Sequence, residues 1–162
     1  MTPDTEPTVL HVNGEEHKTF AAKSTALIHV LRNDFGLTAT RFGCGTEQCG
    51  ACLVLLDGRP AYACTVAVAS AEGARITTVE GLSREGEPHP LQRAFIAEQA
   101  AQCGYCVSGI LMRASWLLSQ DAAPDERAVR TALDPHLCRC GSHNRIVRAV
   151  LRAAAEMKAR PD

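Results

Sequence analysis

The stretch Gly43-Cys44-Gly45-Thr46-Glu47-Gln48-Cys49-Gly50-Ala51-Cys52 packs three cysteines and three glycines into ten residues. With Cys64 it makes a C-x4-C-x2-C-x11-C spacing. A chain that must curl tightly round an anion, presenting backbone N–H groups to it, needs turns free of Cβ. Gly43, Gly45 and Gly50 supply them. Eight of the 162 residues are cysteine, a high density for a compartment where structural disulfides are disfavoured. There, clustered cysteines bind metal or do redox chemistry.

Around this loop the first half reads as mostly β. Thr8 to Val12 is a strand, Asn13-Gly14 a hairpin turn, and Glu15 to Phe20 the returning strand. Ala26 to Phe35 reads as a helix with Leu27, Val30 and Leu31 on one face and Gly36 as its stop. After the loop, Leu53 to Leu56 is a buried strand, Asp57-Gly58 a turn, Arg59 to Ala63 its partner, and Ala74 to Thr78 a further strand. From Gly81 to Pro90 the composition shifts to Gly, Ser, Glu and Pro, the mark of an exposed connection. The expected division is a first domain at 1–81, a linker at 82–90 and a second domain at 91–162. The second half is helical. Leu91 to Ala101 is one helix. The period of Val107, Ile110, Leu111, Ala114, Leu117 and Leu118 makes another. Pro124 suits a first helical position, with Asp125 and Glu126 in the first turn and Ala128, Val129, Ala132 and Leu133 buried. Asn144 is expected to cap a last helix whose stripe is Ile146, Val147, Val150, Leu151 and Ala154. Four short helices make a small bundle.

That second half carries the other four cysteines. Cys103 and Cys106 form C-x2-C at one helix start, and Cys138 and Cys140 form C-x-C before another. N–H groups at helix starts favour an anion held between them. A C-x-C pair cannot easily bridge itself but readily chelates one centre. The first set matches the plant-type pattern in which four thiolates hold a [2Fe–2S] cluster. Zinc or disulfides remain the alternatives. The single C-x2-C knuckle in the first half and the missing secretory leader weigh against them. A net charge of −1 offers no basic footprint for nucleic acid, and no apolar run approaches the length of a membrane span. Read alone, the chain stays in the cytoplasm unless a partner carries it to a membrane or exports it.

Thr40-Arg41-Phe42-Gly43-Cys44-Gly45 through Cys49-Gly50-Ala51-Cys52, Gln102-Cys103-Gly104-Tyr105-Cys106 with Gly109, and Leu137-Cys138-Arg139-Cys140 resemble the small subunit of the xanthine oxidase (molybdenum hydroxylase) family. The resemblance runs from about Val9 to Ala155. Within the family, Cys138 to His143 and His89-Pro90-Leu91-Gln92 look most like the small subunits of bacterial nicotinate dehydrogenases and isoquinoline oxidoreductases. It implies an α+β fold, a β-grasp ferredoxin-like domain followed by a four-helix bundle. It also implies two [2Fe–2S] clusters on Cys44, Cys49, Cys52, Cys64 and on Cys103, Cys106, Cys138, Cys140. The implied partner is a large subunit holding molybdopterin cytosine dinucleotide, approached by Gln102 and Cys140. Substrate, an N-heteroaromatic such as nicotinate or isoquinoline or an aldehyde, would be hydroxylated there. Electrons would pass from the pterin to the bundle cluster, then to the ferredoxin-like cluster and an external cytochrome or flavin acceptor. Two departures stand out. Glu47 occupies a place where many relatives have glycine, and Gly141-Ser142-His143 replaces the Thr-Gly-Tyr of many flavin-containing relatives, favouring a flavin-free enzyme.

Among other residues, His143 reads as solvated at a helix start. His11, His17, His29, His89 and His136 form no ligand set. Arg145, Arg148 and Arg152 share a helix side, as a solvated face or a docking patch. Tyr105 is placed to shield a cluster, and Tyr62 and Trp116 to pack. The competing classes are a free-standing two-cluster electron carrier and a zinc-bound structural module. Metal content and the presence of a co-purifying molybdenum chain separate them.

Overall fold

The computed structural model describes residues 6–84 and 86–159. Residues 1–5, on which the expectation of no leader partly rests, Glu85 within the expected linker, and residues 160–162 lie outside the described residues.

The first half folds as a five-stranded sheet with strand order β2-β1-β5-β3-β4. Strand β1 (Thr8–Val12) turns through Asn13 and Gly14, both at positive φ, into β2 (Glu15–Thr19). The Asn13 side chain then accepts from the Thr78 N–H at 2.8 Å and donates to the Thr78 hydroxyl at 3.0 Å, tying the hairpin turn to the residue just past the neighbouring strand β5. Strand β1 also pairs in parallel with β5 (Arg75–Thr77), through His11 with Arg75 and Val12 with Ile76. Strands β3 (Leu53–Leu56) and β4 (Arg59–Tyr62) form the second hairpin, with β3 antiparallel to β5. The helix α1 (Leu27–Asn33) covers one face with Leu27, Ile28, Val30 and Leu31. It has no side-chain cap. Its first N–H groups donate instead to the carbonyls of Val66 at 2.8 Å and Ala63 at 2.9 Å, which flank Cys64 and fix its place. A short helix α2 (Val68–Ala71) and a 3-10 turn at Val79–Leu82 had no sequence signal.

The second half is four helices, α3 (Pro90–Ala97), α4 (Val107–Gln120), α5 (Glu126–Leu133) and α6 (His143–Ala159). Four expectations are corrected. Helix α3 stops at Ala97 rather than Ala101, because Gln99 enters the left-handed region at φ 49°. Pro124 lies before α5 rather than in it, since the Asp125 carboxylate accepts from the Ala128 N–H at 2.6 Å and is the cap. Ala128 and Ala132 are only half-buried. Asn144 does not cap α6: the helix begins at His143, and the Asn144 side chain accepts from Arg130 at 3.2 Å.

Strand β3 joins the halves. Val54 and Cys52 face the core under α1, while Leu53 and Leu55 pack with Val79, Leu82 and the helical core of Leu91, Phe95, Ile110, Met112, Ile146 and Val150. Alternation along a strand sends successive side chains to opposite faces, so β3 is buried on both. The architecture is a β-grasp ferredoxin-like sheet carrying a four-helix bundle on one face. No helix among the described residues is long and apolar enough to cross a membrane.

Candidate iron–sulfur sites

The first cysteine loop is pinned at its base. The Arg32 guanidinium at the end of α1 donates to the carbonyls of Thr38 and, at 2.8 Å, Thr40, and the Arg41 N–H donates to the Ala51 carbonyl at 3.3 Å. Inside the loop Gly45, Glu47 and Gly50 take φ values of 73°, 63° and 73°. Backbone turned this way points N–H groups inward as an anion-binding nest. Those of Thr46 and Gln48 reach Cys44 Sγ at 3.4 and 3.2 Å, and that of Cys44 reaches Cys49 Sγ at 3.3 Å. The Thr46 N–H, above all, lowers the exposed Cys44 thiol to about 6, whereas burial pushes Cys52 up to about 12. Cys49 lies beside Cys44, and Cys64 beside Cys52.

The second set is built from helix starts. Cys106 is the N-cap position of α4, and the loop of Cys138 and Cys140 runs into α6. Burial acts to raise the Cys138 thiol, but N–H groups of Ser142, Cys140 and Gly141 and a hydrogen bond from Cys106 outweigh it and hold it below the usual thiol value. The Tyr105 N–H and the Cys140 side chain lower Cys103, while burial pushes Cys106 up to about 12. Cys140 lies beside Cys103, and Cys138 beside Cys106.

A two-iron centre takes two protein ligands on each iron and carries negative charge, so it asks for two thiolate pairs and a lining of N–H donors. Both sets meet that demand. No three His, Cys, Asp or Glu side chains among the described residues gather around a single-ion position.

The two sets are fastened to each other. The Leu137 N–H donates to the Cys49 carbonyl at 3.1 Å, and the Tyr105 hydroxyl donates to the Phe42 carbonyl at 2.5 Å. A Cβ on Gly109 of α4 would lie 1.9 Å from the Gly50 carbonyl oxygen, and one on Gly50 would lie 2.3 Å from His136 Nδ1. Backbone therefore touches backbone where the halves meet. His136 is 3% exposed and neither ring nitrogen has a hydrogen-bond partner. Burial, with Arg113 nearby, lowers it to about 4. It lines a cavity of about 350 Å³ with Arg130, Asp134 and His143.

Gln102 is exposed directly before Cys103, and Cys140 is half-buried. Tyr105 is half-exposed, its hydroxyl tying loop to loop. His143 is exposed, as expected, and His29 stacks on Phe42 at 5.5 Å between ring centres. Arg145, Arg148 and Arg152 are exposed but not free for a partner: Arg148 and Arg152 pair with Glu98 at 3.3 and 3.1 Å, and Arg145 donates to the Gln99 carbonyl at 3.4 Å. They bind α6 to the end of α3. Sequence reasoning gave His136 no role among the scattered histidines and took Leu137 only as part of the Leu137-Cys138-Arg139-Cys140 motif, since an Asp-Pro-His-Leu loop has no periodicity. The one available signal was adjacency to Cys138.

Residues 10–80 match the model of a 2Fe-2S iron-sulfur cluster binding domain, and residues 78–151 that of a [2Fe-2S] binding domain. A nicotinate dehydrogenase subunit of Pseudomonas putida is 47% identical over 152 residues, covering 94% of this chain and 96% of that one. The alpha subunit of isoquinoline 1-oxidoreductase from Brevundimonas diminuta is 42% identical, covering 90% and 95%. The crystal structure of quinoline 2-oxidoreductase from Pseudomonas putida 86 superposes with a TM-score of 0.90 at 35% identity, over 96% of both chains. With two cluster-binding domains in tandem and relatives matched along nearly their whole length, the chain belongs to the iron–sulfur electron-transfer subunits of the xanthine oxidase family of molybdenum hydroxylases.

Proposed function

We propose that Cys44, Cys49, Cys52 and Cys64 hold one [2Fe–2S] cluster and Cys103, Cys106, Cys138 and Cys140 the other. The ferredoxin-like unit spans 1–81 and the helical unit 91–162, with 82–90 between them. When bound, each cluster supplies a one-electron acceptor. The chain's own residues hold the two at a fixed separation and line each with N–H dipoles. A large partner subunit carries molybdopterin cytosine dinucleotide, and Gln102 and Cys140, beside the exposed Cys103, face it. Electrons enter there and leave near the exposed Cys44 toward a cytochrome or flavin acceptor. The reaction site lies in the partner. The substrate is an N-heteroaromatic, in keeping with relatives named for nicotinate, isoquinoline and quinoline. The complex works in the cytoplasm, or where its partner is exported.

The observation that carries this reading is the hydrogen bond from Leu137 N–H to the Cys49 carbonyl. Leu137 is bonded to Cys138, so a single hydrogen bond joins a ligand of one set to the residue next to a ligand of the other. The purified complex is expected to hold about four iron and four acid-labile sulfide per copy of this chain. It should show two EPR signals on reduction and a co-purifying chain that contains molybdenum. Zinc in place of iron, or a colourless complex silent in EPR, would overturn it.

A further inference from the structure

We infer that the Glu47 carboxylate is a fixed charge built into the first cysteine loop, anchored by Thr65, that makes the cluster of that loop harder to reduce. The inference rests on the reading that Cys44, Cys49, Cys52 and Cys64 hold a cluster.

Glu47 is an odd residue for its place. Its φ of 63° is a backbone conformation that side chains other than Asn and Asp seldom adopt, and glycine would take it freely. The side chain is nevertheless held. The Thr65 hydroxyl donates to Glu47 Oε1. Thr65 is itself fixed, its N–H donating to the Tyr62 carbonyl at 3.0 Å. Thr65 directly follows Cys64, while Glu47 lies between Cys44 and Cys49. The Glu47–Thr65 bond therefore straps the segment of one thiol pair to the segment of the other.

The strap also sets where the charge sits. The N–H groups immediately before and after Glu47, those of Thr46 and Gln48, are the ones aimed at Cys44 Sγ. These dipoles favour added negative charge at the cluster. The carboxylate between them opposes it. Reduction adds one electron to a centre already anionic, and a negative group held nearby raises the energy of the reduced form more than that of the oxidised form. For an exposed carboxylate of the same loop, at an effective dielectric near 20 or above and with salt screening, the reduction equilibrium is disfavoured roughly three- to fivefold.

The test uses the intact complex and follows both cluster signals through a reductive EPR titration. Glu47→Gln keeps an oxygen to accept from Thr65 but removes the charge. It is expected to make the first cluster roughly threefold easier to reduce, about 28 mV at 59 mV per tenfold for one electron. The second cluster, in the same sample, keeps its potential. The shift should shrink at high salt. Glu47→Gly suits the backbone and lacks the charge, so it should move the same signal the same way. Thr65→Val frees the carboxylate to solvent and should give a smaller shift of the same sign. A Glu47→Gln complex that titrates with wild type, or one in which both signals move together, would overturn the inference. If the Glu47→Gln chain fails to assemble, Glu47→Gly and Thr65→Val decide by the same criterion. A wild-type complex with no first-cluster signal would instead sink the ligand assignment.

Discussion

A methyl group at position 109 has nowhere to go. Its nearest atom would be the Gly50 carbonyl oxygen at 1.9 Å, with the Gly50 carbonyl carbon at 2.9 Å and Ala51 Cα at 3.1 Å behind it, all backbone that cannot rotate away. Gly109 thus lets the first turn of α4 lie directly on the end of the first cysteine loop. Gly109→Ala forces helix and loop apart where the second cysteine set meets the first. The expected cost is about 2–3 kcal/mol, the upper range for overpacking a tight contact. Denaturant unfolding of the purified holo-protein checks it, and a loss below about 0.5 kcal/mol would mean the helix shifts easily. The same substitution should lower iron content, because the displaced backbone carries Cys49 and Cys106 with it.

Among the elements, α3 shows how a short helix is set by its ends. The His89 Nδ1 accepts from the Leu91 N–H at 3.2 Å, and the Gln92 side chain accepts from the His89 N–H at 2.7 Å, a reciprocal capping box with Pro90 in the first turn. Only neutral imidazole can accept. Burial, reinforced by Arg93 and Arg84, lowers His89 below its ordinary value. A depressed histidine stays neutral in the fold while the unfolded chain takes up a proton near pH 6.5, so stability is full above that range. It falls as the pH drops through the window between the unfolded and folded values, and levels off below. The loss should reach about 1 kcal/mol, the worth of an N-cap. Stability measured from pH 8 to pH 5 should decline less in His89→Ser, whose hydroxyl accepts at every pH in that range. A parallel decline in both would rule the cap out as its source.

The His89-Pro90-Leu91-Gln92 segment was visible in the sequence as a likeness, and its physical content is this box. The elements that were legible are those whose pattern is local: Asn13-Gly14, the 3.6-residue period of α4 and α6, and the cysteine spacings. The C-terminal end of α3 was not, because Gln99 takes a left-handed φ with no glycine to announce it. Nor was α2, four residues of Val-Ala-Ser-Ala held by α1 and β1 rather than by their own propensity. The start of α5 was misplaced by two residues, since Pro124 suits a first helical position and Asp125 a cap, and only the Asp125 hydrogen bond decides between them. At the candidate sites, all eight cysteines were named from spacing alone. The strap from Glu47 to Thr65 and the burial of His136 arise from contacts between segments far apart in sequence, which no window along the chain contains.

Across the whole molecule, order in the cysteine loops depends on whatever the thiols grip. Segments 43–52, 102–106 and 136–142 hold little regular structure. They are fixed by thiol pairs, inward N–H groups and a few hydrogen bonds between the sets. Removing iron with a chelator leaves eight thiols without their shared partner, and ligand-ordered loops loosen when the ligand goes. Hydrogen exchange of those segments should quicken by roughly tenfold or more, while β1, β3 and the core of α6 stay protected. The Leu137 amide is the sharpest reporter, because its acceptor belongs to the opposite set. Unchanged exchange at Leu137 after complete iron loss would show that the protein frame, and not the metal, holds the two sets together.

Strand β3 has a consequence for how this chain can change over time. Leu53 and Leu55 answer to the helices and Val54 and Leu56 to the sheet core, so four consecutive positions serve two masters. Cutting the polypeptide between its halves would strip one oily side of that strand bare and leave α4 without its seat. The two electron stations are therefore inherited as a unit: neither half could be lent to another protein without first acquiring a new coat.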